Sequence, residues 1–105
     1  MAAINEREVQ EGKQYQGADE IIAYTLDVTN IGSSPTSPTV IVKDVTNSTT
    51  VTSTVMPTNS PTVSGNVITL SALRNLTAEV LYRVEVKYTL SGNTLESYFY
   101  VQGQE

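Results

Sequence analysis

The chain has 105 residues, six Lys and Arg against eleven Asp and Glu, a net charge of −5, and neither His nor Cys. This length suits one domain, which can bury roughly 65% of the surface that the unfolded chain exposes. The lack of His and Cys excludes a Ser-His-Asp triad, thiolate catalysis and metal sites built from His or Cys ligands. An acidic chain without a basic cluster argues against binding to nucleic acid or to an anionic membrane.

The first eighteen residues are polar, and their few apolar side chains are Ile4, Val9 and Tyr15. We interpret residues 1–18 as a polar N-terminal arm or a short first strand, and residues 19–105 as a single domain. One interpretation of the arm is that it reaches across to a neighbouring subunit. The segment has no basic stretch followed by an apolar run, which predicts synthesis in the cytoplasm without a signal peptide.

Alternation of apolar and polar residues predicts strands through the rest of the chain. A strand over 19–28 points four apolar side chains to one face: Ile22, Tyr24, Leu26 and Val28. The strand over 39–45 contains the run Val40-Ile41-Val42, which is apolar on both faces and suggests a central or covered position. Shorter strands are expected at 51–55, 63–65 and 67–70. No helix longer than a turn or two is expected, and it would fall near 71–77.

Further turns and inward residues follow from the same pattern. Gly65-Asn66 predicts a tight turn before the strand over 67–70, whose Ile68 and Leu70 are expected to point inward. These short strands, punctuated by Gly, Pro and Asn, are typical of a β-sandwich.

The last third of the chain predicts a long hairpin. Residues 81–90 alternate strictly, and a two-residue turn at Gly92-Asn93 would connect them to a strand over 94–101. The inward residues of the first strand are Tyr82, Val84, Val86 and Tyr88. With this turn, Val86 faces Phe99 on the inner side. On the outer side, Lys87 faces Tyr98 and Glu85 faces Tyr100.

Leu76 lies six residues before Tyr82, a spacing that marks the corner at which a chain crosses between the sheets of a sandwich. The Tyr82 hydroxyl is expected to bond to backbone upstream of it, so both residues are assigned structural roles. The predicted fold is therefore all-β: an Ig-like, fibronectin type III-like antiparallel β-sandwich of about seven strands.

The segment Leu73-x-x-Leu76-x-Ala78-x-Val80-x-Tyr82-x-Val84 resembles the corner of fibronectin type III domains, with Ala78 and Val80 in place of the usual Pro and Thr. The last thirty residues are also similar to small Ig-like proteins encoded in the head-tail structural gene modules of tailed bacteriophages and prophages. In that group Gly is usual where this chain has Glu79. The residues that carry this second resemblance are Thr77, Ala78, Tyr82, Val84, Lys87, Thr89, Gly92, Phe99 and Val101.

The phage resemblance implies a non-enzymatic component of a virion, in the head, neck, tail or decoration, that docks within a symmetric assembly. Other virion proteins and further copies of the chain would be its partners. The alternative is an Ig-like binding module of a cell-surface or secreted protein that recognises carbohydrate or protein. On either interpretation we expect no catalytic residue, no cofactor and no metal, and no contact with nucleic acid or membrane.

Tyr98 and Tyr100 are predicted on the outward face of the hairpin, beside Arg83, Glu85 and Lys87. This mixture of aromatic and charged side chains is typical of the centre of a protein interface. Three other interpretations are that Tyr is simply a good strand former, that the N-terminal arm covers the tyrosines, and that they stack on a sugar ring. Four carboxylates could in principle bind calcium: Asp19, Glu20, Asp27 and Asp44. None of them has the spacing of a calcium-binding loop, and we expect all four to be solvated.

Overall fold

In the computed structural model, the described residues are 13–29, 32 and 34–105. The elements are β1 (Gln14–Gly17), β2 (Thr25–Asp27), β3 (Thr36–Asp44), β4 (Thr49–Thr50), α1 (Thr52–Val55), β5 (Thr62–Ser64), β6 (Val67–Thr69), β7 (Leu81–Leu90) and β8 (Asn93–Gln104). The all-β class is therefore confirmed. The described part of the chain forms eight strands, where the sequence predicted about seven.

Two sheets make up the fold. The larger has five strands in the order β1-β8-β7-β3-β4, and the smaller has three strands in the order β2-β6-β5. Neighbouring strands are antiparallel except β1, which runs parallel to β8. β1 corresponds to the short first strand expected within residues 1–18, whereas the expectations for residues 1–12 lie outside the described residues.

A single apolar core lies between the sheets. Alternate residues of β7 and β8, such as Val84 and Val101, point into it and are fully buried. Leu26 and Ile68 of the three-stranded sheet belong to the same cluster. Each buried aliphatic side chain stabilises the fold by about 1.5–3 kcal/mol, which makes this cluster the main source of stability in a chain without disulfides.

The strands of the smaller sheet keep their predicted faces. The predicted inward residues Leu26, Val28, Ile68 and Leu70 are all buried. The strand expected over 19–28 is shorter than predicted, because only Thr25–Asp27 pairs continuously and Ile22 makes one isolated bridge with Leu73. The turn at Gly65-Asn66 joins β5 to β6 as predicted.

β1 is attached to the core by Gln16, which is only 1% exposed. Its amide Nε2 donates to the carbonyl oxygens of Leu73, at 2.7 Å, and Glu20, at 2.9 Å. Its Oε1 accepts a hydrogen bond from the Tyr24 hydroxyl at 3.0 Å. Burial, assisted by the negative charge of Glu20, raises the pKa of Tyr24 above its usual value, so this hydroxyl stays protonated and remains a donor.

The corner before β7 is closed by Tyr82, whose hydroxyl accepts a hydrogen bond from the N–H of Thr77 at 2.8 Å. Leu76 packs into the core beside it. The corner passes so close to β8 that a Cβ atom on Gly103 would lie 2.1 Å from the Thr77 carbonyl oxygen. Glycine is therefore the residue that fits here, and an isolated Gly within a strand is the sequence signal for such an approach.

The final hairpin turns one residue earlier than predicted. Ser91 and Gly92 have φ values of 52° and 82°, as the two central residues of a type I′ turn require. Val84 therefore faces Phe99, and Glu85 faces Tyr98. The prediction of a Gly92-Asn93 turn was wrong because it placed Gly first, whereas the usual Asn-Gly pattern places it second. Each residue of β7 pairs with a β8 residue two positions away from the predicted one. Because this shift is even, every residue keeps its predicted face.

The prediction of a strand over 51–55 is also wrong. β4 ends at Thr50, and residues Thr52–Val55 form the single turn α1. Val51 and Val55 are four residues apart, a spacing that fits one face of a helical turn as well as one face of a strand. Val55 is buried and Val51 packs against the core, so the helical turn satisfies the same apolar pattern.

β3 is covered on one face and open on the other. Val40 and Val42 are buried and Ile41 is 43% exposed. Of the two predicted positions, β3 takes the central one, because it lies between β7 and β4. Along the part of β3 that β4 does not pair, the N–H of Val42 donates to Thr52 Oγ1 at 2.9 Å, and Asn59 Nδ2 donates to the Val40 carbonyl at 2.9 Å. These side chains occupy backbone groups that an added strand would use.

Candidate docking surface on the five-stranded sheet

The structure brings together the five residues predicted as an interface. Arg83, Glu85 and Lys87 alternate along β7, and Tyr98 and Tyr100 do so along β8, all on the side away from the core. We call this side of the five-stranded sheet, formed by the outward residues of β1, β8, β7 and β3, the outer face. The direct partners differ from those predicted, because Arg83 lies opposite Tyr100 and Glu85 opposite Tyr98.

A cluster of stacked and paired side chains occupies the centre of the outer face. The Arg83 guanidinium lies 5.5 Å from the centre of the Tyr98 ring and 2.7 Å from Glu85 Oε2. The Tyr98 and Tyr100 rings meet edge to face, with their centres 5.7 Å apart. Side chains already held in one arrangement lose less conformational entropy when a partner binds, which favours docking on this cluster.

Arg83 is held in its charged form by its neighbours. Partial burial lowers the pKa of Arg83, but the hydrogen bond with Tyr100 and the charge of Glu85 together raise it above its usual value. Like other arginines, whose pKa exceeds about 12, Arg83 carries a positive charge at any pH at which the protein is folded. The cluster presents a cation beside the Tyr98 ring and hydrogen-bonded to Tyr100, an arrangement suited to contact with a carboxylate or another aromatic side chain.

The outer face extends beyond the predicted residues to strands at both sides. On β1, Tyr15 is 54% exposed, and the Lys13 ammonium lies 5.3 Å from the centre of its ring. On β3, Ile41 is exposed, and the Lys43 ammonium lies 3.8 Å from Glu85 Oε2. Sequence alternation alone could place these residues on a strand face, but it could not show that β1 and β3 lie on either side of the hairpin.

Residues of the described ranges provide no group of three or more Asp and Glu side chains placed to hold a metal ion. The single helix of the described residues, α1, is too short to cross a membrane. Comparison with known proteins gives no match to any family model, curated protein or solved structure.

Proposed function

We propose that the chain is a non-enzymatic structural protein of a tailed-bacteriophage or prophage particle, which docks through its outer face within a symmetric assembly. The observation that carries this proposal is the cluster of Arg83, Tyr98 and Tyr100 on an open sheet face. Arginine and tyrosine are among the residue types that dominate binding energy in protein interfaces.

The order of the strands supports an Ig-like identity for the sandwich. In immunoglobulin domains, strands B, E and D lie in one sheet, and strands C, F and G lie in the other. Matching β2, β6 and β5 to B, E and D, and β3, β7 and β8 to C, F and G, reproduces both groups. Tyr82 stands near the start of the strand matched to F, and its hydroxyl bonds to backbone upstream, as the corner tyrosine of that fold does.

The choice of a phage or prophage particle rests on the resemblance of the C-terminal residues to small Ig-like head and tail proteins. The backbone at Glu79 supports it. Glu79 has a φ of 69°, the left-handed conformation that favours glycine, and glycine is usual at this position in the proteins that the chain resembles. A positive φ at this position is the conformation that a motif with glycine there would favour, which supports the resemblance.

The docking role is tested by the double variant Tyr98→Thr and Tyr100→Thr, because threonine keeps the preference for a strand while removing both rings. Particles from cells that express the wild-type or variant chain would be purified by density gradient, and the chain would be quantified by mass spectrometry. We expect the wild type at a fixed ratio to the other particle proteins and the variant depleted roughly tenfold or more.

Val63→Thr is the matched control, because Val63 is an exposed residue of β5 in the other sheet. This variant should enter particles as the wild type does, and circular dichroism should show all three proteins folded. A wild-type chain absent from particles would contradict the assignment to a virion. A folded double variant that enters particles at the wild-type ratio would contradict the outer face as the docking surface.

A further inference from the structure

Basic side chains are concentrated on the outer face although the chain as a whole has a charge of −5. Of the five Lys and Arg residues in the described part of the chain, Arg74 alone lies elsewhere. The four on the outer face are Lys13, Lys43, Arg83 and Lys87. Of the described Asp and Glu residues, those on the same face are Glu85 and Glu96. The outer face is therefore a positive surface on a negative protein.

Apolar surface accompanies this positive charge. Tyr15 on β1 and Ile41 on β3 are among the most exposed large apolar residues of the described chain. They stand at the two sides of the sheet face, separated by β8 and β7, whose cluster of rings and guanidinium lies between them. A partner that fits this face would combine an apolar side chain with several carboxylates.

The end of the molecule at which β8 ends combines an exposed apolar side chain with several carboxylates, as such a partner would. We call it the acidic end and define it by Asp19, Glu20, Ile21, Glu79 and Glu105. All four carboxylate residues are exposed, and Ile21 is 59% exposed.

Backbone hydrogen bonds hold the segments of the acidic end together. The N–H of Ala18, next to Asp19, donates to the Gln104 carbonyl oxygen at 2.6 Å, and Gln104 precedes Glu105. The N–H of Glu79 donates to the Gly103 carbonyl oxygen at 2.8 Å. Three stretches of chain that are distant in sequence therefore present their carboxylates on one structured end.

We propose that the acidic end of one copy of the chain docks on the outer face of a second copy. Opposite charges would meet around an apolar contact made by Ile21, the arrangement of a polar rim around an apolar centre. Because two different surfaces meet, the contact is heterologous, and repeated contacts produce a ring if the rotation closes and a filament if it does not. This inference rests on the proposed function, since it identifies the partner of the same docking surface.

A charge exchange tests the pairing of these two surfaces. The end variant carries Asp19→Lys, Glu79→Lys and Glu105→Lys, so that three lysines outweigh the remaining Glu20 and the end becomes positive. The face variant carries Lys43→Glu and Lys87→Glu, so that its carboxylates outnumber its remaining cations, Lys13 and Arg83. In each variant alone, like charges oppose each other at every contact between copies. In a mixture, the altered end fits the altered face, and the two unaltered surfaces fit each other. We therefore expect self-association of each variant to weaken roughly tenfold or more, and the equimolar mixture to regain it.

Sedimentation velocity over a concentration series measures both effects, and circular dichroism checks that each variant is folded. Added salt should weaken the association of the wild type, because exposed charges are screened. A wild type that stays monomeric at the highest soluble concentration, or folded variants whose mixture fails to associate, would overturn this inference. If the Tyr98 and Tyr100 variant were nevertheless lost from particles, the docking surface would stand and its partner would be another protein.

Discussion

At the scale of single residues, Tyr82 connects the corner to β7 through one hydroxyl group, which accepts a hydrogen bond from the Thr77 N–H. Tyr82→Phe retains the packed ring but removes the acceptor. We expect the free energy of unfolding to fall by about 1–2 kcal/mol, because an N–H group in a partly buried position is left unpaired. Urea denaturation measures the change. Tyr15→Phe on the exposed outer face should stay close to the wild type, and equal stability of both variants would contradict the role of the hydroxyl.

The backbone at Glu79 is strained, because its φ of 69° is in the left-handed region although the residue carries a Cβ atom. Its side chain is exposed. A residue with a Cβ atom pays about 1–2 kcal/mol in the left-handed conformation, and the greater freedom of glycine in the unfolded chain offsets part of the gain. We expect Glu79→Gly to raise the free energy of unfolding by about 0.5–1 kcal/mol. Glu79→Ala keeps the Cβ atom and should give no gain, so equal stabilisation by both would indicate a charge effect instead.

At the scale of elements, the β7–β8 hairpin depends on a turn that its sequence fills imperfectly. A type I′ turn needs positive φ at both central residues, and Ser91 occupies the first of them with a φ of 52°. Asn tolerates this conformation better, so we expect Ser91→Asn to raise the free energy of unfolding by about 0.5–1 kcal/mol. Thermal denaturation measures it. Ser91→Ala should lower stability, and a lower melting temperature for Ser91→Asn would contradict the turn type.

The same hairpin shows what sequence alternation can and cannot determine. The bounds of β7 and the inward and outward residues of both strands follow from the period of two. The register does not, because turns at Ser91-Gly92 and at Gly92-Asn93 give the same faces and differ only in which residues pair. The helical turn α1 was missed for a related reason, since Val51 and Val55 satisfy both periods over so short a segment.

At the scale of the whole molecule, β1 belongs to the folded unit, because Gln16 links it to Leu73 and Tyr24. We expect the free energy of unfolding of a chain that starts at Ala18 to be lower, by at least about 3 kcal/mol, than that of a chain that starts at Lys13. The shorter chain loses the pairing with β8 and leaves buried polar groups unpaired. Chemical denaturation of the two chains gives the difference. Equal stability would show that the β1–β8 pairing contributes little.

The outer face as a surface could not be predicted from the sequence beyond the hairpin. Tyr98 and Arg83 lie on adjacent strands of one hairpin, and alternation places them together. Lys13 and Lys43 join them only because β1 and β3 flank the hairpin, and strand order depends on long-range packing rather than on local pattern. Gln16 gave no signal either, since a single Gln in a polar segment has no period that marks it as buried.

The side chains of Thr52 and Asn59 form hydrogen bonds with backbone groups of β3. These bonds affect how copies of the chain can associate at high concentration. An open edge would let a partly folded neighbour add a strand, and growth of that kind leads to fibres that do not dissolve. At Val40 and Val42 this route is closed. Along this part of β3, a second copy of the chain could therefore contact the strand only through side chains, and such contacts break as readily as they form.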